Sequence, residues 1–214
     1  MTKDNKEISK ATLNRLPSYL KYLYQLDKLN VATVSSTTIA NGLNLNPVQV
    51  RKDIALVSSV AGKPKMGYVT KEIIADLESF LGYNNTHDAV LVGVGGLGKA
   101  FLGYGGFENY GLNIVAAFDN NDRIINTKIN GKPVYDVAKL KEIVERFNIQ
   151  IGIITVPSYA AQEVADRMVS AGIKAIWNFA SVHLNIPPNI ALKNEDLASS
   201  LALLSLQIQQ NRND

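Results

Sequence analysis

The stretch that most constrains this chain lies between residues 88 and 119. DAVLVGV at 88–94 is a continuous apolar run, as expected of a strand buried on both faces of a parallel sheet. It leads into GVGGLG, which sets Gly93, Gly95 and Gly98 in G-x-G-x-x-G register. A second apolar run, GLNIVAAFD, ends at Asp119, 21 residues past Gly98. Each part has a physical reason. Gly93 permits a tight turn, Gly95 lets a pyrophosphate approach the backbone, and Gly98 lets helix and strand pack closely. Unpaired N–H groups at the start of the following helix hold the phosphates. A carboxylate about 20 residues on accepts from the adenosine ribose hydroxyls. It also repels a 2′-phosphate, which favours NAD(H) over NADP(H). The candidate cofactor loop is therefore Gly93, Val94, Gly95, Gly96, Leu97 and Gly98, with Asp119 as the ribose acid. A P-loop needs Ser or Thr after Lys99, where this chain has Ala100. A coenzyme A-binding Rossmann domain stays open as the alternative.

Around this core the pattern alternates. IQIGIITVP and IKAIWNFA read as two further strands, with helices expected at 97–109, 136–147 and 158–171. Such alternation implies a doubly wound α/β sheet. The front of the chain is different. Leu13, Leu16, Leu20, Leu23 and Leu26 recur at spacings of three and four, one face of a helix capped by Ser9 and either kinked at Pro17 or starting there. Ser35 or Ser36 caps a short helix ending at Gly42; Asn46 caps another with Pro47 in its first turn. That pair forms a helix-turn-helix. A basic hairpin-like segment at 63–68 and a helix at 70–82 follow. Residues 1–84 hold 11 Lys/Arg against 7 Asp/Glu, a basic balance that the rest lacks. The expected division is 1–84, a winged-helix DNA-binding domain; 85–195, a Rossmann domain; and 196–214, a terminal helix. That helix carries apolar residues at 197, 201, 204 and 208, a stripe that must dock on its own domain or on a partner subunit.

Composition narrows the chemistry. The chain has no cysteine and two histidines, so disulfides, thiol nucleophiles and Cys-ligated metals are out. His87 precedes the first Rossmann strand, at the wrong end of the sheet for catalysis, and His183 reads as a loop or packing residue. Tyr135-x-x-x-Lys139 matches a dehydrogenase dyad in letters but falls too soon after the glycine loop. With no catalytic set and no substrate domain, a sensor is expected rather than an enzyme. MTKDNKEISK has no apolar core and no run of 18 apolar residues occurs, so neither a secretory signal nor a membrane span is expected, and the cytoplasm is the default.

In a helix-turn-helix the second helix enters the major groove. Here Gln49 is placed to read adenine, and Arg51 or Lys52 guanine or phosphate, with Asn46 at the cap. Lys63 and Lys65 on the wing would neutralise phosphates, while Val48, Val50 and Ile54 are expected to face the core. The competing view is a set of solvated charges on a helical domain that contacts proteins.

Several strings together carry a family resemblance: KATLNRLPSYLKYL, VRKD, LVGVGGLGKAFLGYGGF, IVAAFD, GKPVYDVAKL, TVPSYAAQEVADRMVSAGIKAIWNFA and EDLASSLALLSL. Over about residues 8–210 the chain resembles the Rex family of redox-sensing transcriptional repressors. The resemblance implies a winged helix followed by a Rossmann domain, in a homodimer whose last helix swaps onto the partner. It implies double-stranded palindromic operator DNA as a partner, released when NADH binds, with NAD⁺ as competitor. By position, Tyr104 matches a nicotinamide-side tyrosine, and Thr155, Val156 and Pro157 a loop flanking the cofactor. Arg15 and Asp196 match a pair that reads the closed state. The chain departs from the family after VRKD, where IALVSSVAG replaces an aromatic stretch, in the wing (GKPKMGYVT), and at Leu197, where Phe is usual.

Overall fold

A computed structural model describes residues 8–59, 62, 67–83, 87–196, 201–202, 204–205 and 207–208. The chain divides into two compact units, Met1–Asn85 and Thr86–Asp214.

The first unit begins with α1 (Lys10–Lys28), capped by the Ser9 hydroxyl, which accepts from the Thr12 amide. The helix runs on through Pro17. Proline there removes only the bond to the Leu13 carbonyl, and Leu13 is 42% exposed, so solvent reaches that turn. Leu13 thus leaves the expected apolar stripe, while Tyr19 joins Leu16, Leu20 and Leu23 in the core. After β1 (Thr33–Val34), α2 (Ser36–Leu43) is capped by Ser35. It ends one residue beyond the expected Gly42, with Asn44 taking the left-handed conformation at φ 54°. Gly42 lies inside the helix against the Tyr22 ring: a Cβ there would fall 2.2 Å from Tyr22 Cζ, so the ring would have to move. In α3 (Pro47–Val57) the Asn46 carboxamide oxygen caps the amides of Val48 and Gln49. Val50 and Ile54 are buried as expected, but Val48 faces outward, 57% exposed. β2 (Tyr68–Val69) pairs antiparallel with β1, and α4 (Thr70–Leu81) closes the unit against α1. Of the expected basic wing, Lys63, Pro64, Lys65 and Met66 lie outside the described residues.

The second unit is built on β3 (His87–Val92), whose last four residues are buried on both sides of the sheet. It is followed by α5 (Gly96–Leu102), β4 (Leu112–Asp119), β5 (Lys128–Ile129), β6 (Lys132–Asp136), α6 (Leu140–Phe147), β7 (Ile151–Ile154), α7 (Ser158–Ser170), β8 (Ala175–Asn178) and β9 (Ala191–Asn194). The sheet order is β5-β6-β4-β3-β7-β8-β9, parallel except for β5. The order reverses at β3, and in open parallel sheets ligands bind beyond the carboxyl ends of the strands at such a point. Val90, Val92, Ile154 and Met168 centre the core on one face, and Leu91, Ala117 and Ile153 on the other.

Local sequence corrects two expected helices. The one at 97–109 stops at Leu102, because GYGG breaks it, and resumes as a 3₁₀ segment, Gly105–Tyr110. The one at 136–147 starts later: Asp136 ends β6 and accepts from the Ala138 amide, and α6 begins at Leu140 after a 3₁₀ turn.

Candidate nucleotide site and recognition helix

A cleft of about 730 Å³ opens beyond the ends of β3, β4 and β7. Gly93, Val94, Gly95, Asp119, Thr155, Val156 and Pro157 all line it. Gly93 sits at φ +100°, and a Cβ there would come within 2.7 Å of Val156 Cγ1 and 2.8 Å of the Val156 nitrogen. At Gly98 a Cβ would fall 2.0 Å from the Gly93 carbonyl oxygen, so the helix approaches its own loop as closely as backbone permits. Gly95 differs. A Cβ built on it meets nothing within 4 Å, so the protein's packing does not require glycine there, and the open space faces the cleft. That is the arrangement a pyrophosphate seated on the backbone needs. Gly96 opens α5 and Leu97 follows, 37% exposed. Because α5 is only seven residues long, backbone N–H groups contribute more here than any helix dipole.

The loop is braced from two sides. Asp119 Oδ2 accepts from the Val94 amide at 2.7 Å, and its Oδ1 accepts from Asn120 and Asn121 at 2.8 and 2.9 Å. A carboxylate has about four acceptor sites, so with three amides bound about one remains for a ribose hydroxyl. The Thr155 hydroxyl donates to the Gly93 carbonyl at 2.6 Å, tying the turn after β7 to the turn after β3. Lys99, Asn120, Asn121, Tyr159, Glu163 and Arg167 also line the cleft, and the sequence reading missed them. Only Lys99, beside the glycines, and the two asparagines, beside the acid, carried a signal that could have found them.

Of the expected cofactor residues, Gly96, Leu97 and Gly98 belong to the start of α5 and do not themselves line the cleft, and Tyr104 and Asp196 do not line it either. Tyr104 is 57% exposed, stacks edge-on against Phe107 at 4.9 Å, and lines a separate recess of about 330 Å³. Asp196 follows β9, is exposed, and is not among the residues lining the cleft. Leu201, Leu204 and Ile208 are 65%, 56% and 57% exposed, and Leu197 lies outside the described residues.

In the first unit, Arg15, Leu45, Asn46, Val48, Gln49 and Lys52 border a groove along the start of α3, with Arg51 exposed beside it. Beneath it lies Asp53, 1% exposed. Arg15 donates to it twice, from Nε at 2.8 Å and from a terminal nitrogen at 3.1 Å. The Tyr19 hydroxyl donates at 2.7 Å, the Gln49 amide at 2.8 Å and the Thr12 hydroxyl at 3.2 Å. Burial alone would raise the Asp53 carboxyl, but the bonds from Arg15, Tyr19 and Gln49 outweigh it and hold it below its ordinary value. Tyr19 is pushed up to about 12 by burial and by Asp53, and the hydrogen bond to Asp53 raises Arg15. Within the first unit the carboxylate partner of Arg15 is thus Asp53, and the Gln49 amide nitrogen is turned inward to the same carboxylate.

Fold and site together define a winged helix-turn-helix module on one chain with a nucleotide-binding Rossmann module. Residues 84–182 match the family model described as "CoA binding domain", and residues 7–55 the one described as "Putative DNA-binding protein N-terminus". A redox-sensing transcriptional repressor Rex from Treponema denticola is 41% identical over 201 residues, covering 94% of this chain and 95% of the relative. One from Carboxydothermus hydrogenoformans is 42% identical over 205 residues, covering 96% and 98%. The crystal structure of RSP with β-NAD⁺ and operator DNA superposes with a TM-score of 0.90 at 35% identity, covering 97% of this chain and 95% of that one. RSP with β-NADH gives 0.87 at 34%, covering 97% of each. RSP is itself described as a Rex-family repressor. This chain belongs to the Rex family of redox-sensing transcriptional repressors.

Proposed function

We propose that this chain is a homodimeric repressor that binds palindromic DNA through α3 and the wing and lets go when NADH fills the cleft. The observation that carries the nucleotide half is the pairing of an open Gly95 with a loop pinned to Asp119. Gly93, Val94, Gly95, Gly96, Leu97 and Gly98 hold the pyrophosphate, Asp119 the adenosine ribose, and Thr155, Val156 and Pro157 the turn beside the cofactor. The reduced nicotinamide ring is neutral and the oxidised ring cationic. An apolar nicotinamide pocket therefore favours NADH over NAD⁺, since desolvating a charge is costly. Tyr104, exposed in the single chain, and Asp196 serve that end of the ligand once two copies assemble, and Arg15 reports the assembled state. The exposed Leu201, Leu204 and Ile208 support a tail that docks on a second copy. Asn46, Gln49, Arg51, Lys52, Lys63 and Lys65 form the DNA side. We place the protein in the cytoplasm; no helix among the described residues is long and apolar enough to cross a membrane.

The "CoA binding domain" match supports a second ligand, so the titration includes it. Mobility shift on duplexes selected from a random pool, with and without NADH, tests the switch. NADH-sensitive binding is expected, with NADH bound more tightly than NAD⁺ or CoA. Failure to bind any duplex refutes the repressor reading, and tighter CoA binding refutes the ligand assignment.

A further inference from the structure

The first turn of α3 exposes an apolar side chain that fold stability does not explain. Val48 is 57% exposed, whereas Val50 and Ile54 on the same helix are fully buried. A β-branched residue weakens a helix slightly, and the cap is already supplied by Asn46, so Val48 adds nothing to either. Two of its neighbours already use one polar atom each within the protein. The Asn46 oxygen accepts from the Val48 and Gln49 amides, and the Gln49 amide nitrogen donates to buried Asp53. Three and four residues on stand Arg51 and Lys52, both exposed, and seven on stands Ala55, also exposed. These spacings place Val48, Arg51, Lys52 and Ala55 on one face of the helix. That outward face holds two cations between two methyl-bearing side chains and no acid.

A face so charged fits a nucleic acid duplex. The first-turn residues of a recognition helix are those that reach base edges, and the only apolar group on the major-groove edge of any base pair is the thymine C5 methyl. We infer that Val48 is a specificity-determining residue that packs against a thymine methyl in each half-site, beside phosphate or guanine contacts from Arg51 and Lys52. The inference rests on the DNA-binding reading above and goes beyond it by naming the base and the atom read.

The test uses the full chain and a palindromic duplex selected by it from a random pool. Each thymine is replaced in turn, symmetrically, by deoxyuridine, which lacks only the methyl. Wild type is expected to lose about 4-fold in affinity per half-site at one position, the factor that burial of one methyl group gives, and roughly 15-fold over the palindrome. Val48→Ala is expected to bind the thymine duplex more weakly and to show no penalty at that same position, with its NADH affinity unchanged. The inference is overturned if no position distinguishes wild type from Val48→Ala, or if the wild type tolerates deoxyuridine everywhere. A wild type that enriches no duplex at all overturns the DNA-binding reading itself.

Discussion

Replacing Asp53 by asparagine keeps the shape of the side chain and removes the charge that collects Thr12, Arg15, Tyr19 and Gln49. Breaking a fully buried ion pair costs about 3–5 kcal/mol. Here the Arg15 side chain is 25% exposed, so water takes up part of its lost interaction, and the asparagine oxygen still accepts one donor. What remains is the loss of charge-assisted bonds and a crowded donor at the new amide, about 2 kcal/mol in all. For a unit of this size that moves a urea midpoint by about 1–2 M. The chain's one tryptophan, Trp177, lies in the second unit, which makes the assay selective. Circular dichroism follows both units, while tryptophan emission follows the second alone. The expected result is a shift confined to the dichroism transition. The pH dependence has a definite sign. Because the folded-state carboxyl lies below its unfolded value of about 3.9, its contribution is fully present above that pH. It fades only as the pH falls through the lower, folded-state value. The wild-type advantage should therefore persist from neutral pH to about 4 and vanish in stronger acid. A difference under about 0.5 kcal/mol at neutral pH, or one already gone at about pH 5, would refute the hub.

Two further substitutions separate glycines by purpose. Gly95→Ala should fold normally, having nothing within 4 Å of the new methyl, yet lose most NADH binding in a calorimetric titration. Gly98→Ala, whose methyl would fall 2.0 Å from the Gly93 carbonyl oxygen, should lower thermal stability as well as binding. Equal stability losses in the two variants would contradict the assignment of Gly95 to the ligand. Deleting residues 197–214 removes the exposed Leu201, Leu204 and Ile208 and should give a monomer by light scattering; a deletion variant that stays dimeric would place the interface elsewhere.

What could be read ahead of the structure was chemistry local in the chain. The caps at Ser9 and Asn46, and the loop with its acid 21 residues on, follow from neighbours a turn or a strand away. The failures each involve a choice that local pattern leaves degenerate. Val48, Val50 and Ile54 look alike in an 11-residue helix, and the packing of α3 against α2 and α4 decides which two are buried. β6 shows one buried residue, Val134, in KPVYD, too little alternation to announce a strand beside β4. Gly42 resembled a turn glycine, yet the positive φ falls at Asn44, and Gly42 lies instead inside α2 against the ring of Tyr22, distant in sequence.

Asp53 is the sharpest case. As the last letter of VRKD it reads as one more charge on a DNA-facing helix, and its donors on α1 are 34 to 41 residues away. A carboxylate is buried at that position only because those partners are already in place. The same carboxylate on α3 fixes two groove-lining side chains, Arg15 reaching across from α1 and Gln49 one turn back on α3 itself. A protein that must present a fixed face to DNA gains from this, because a side chain ordered beforehand loses less entropy when it docks. The network that holds the unit together thereby also sets which atoms of α3 remain to read a base.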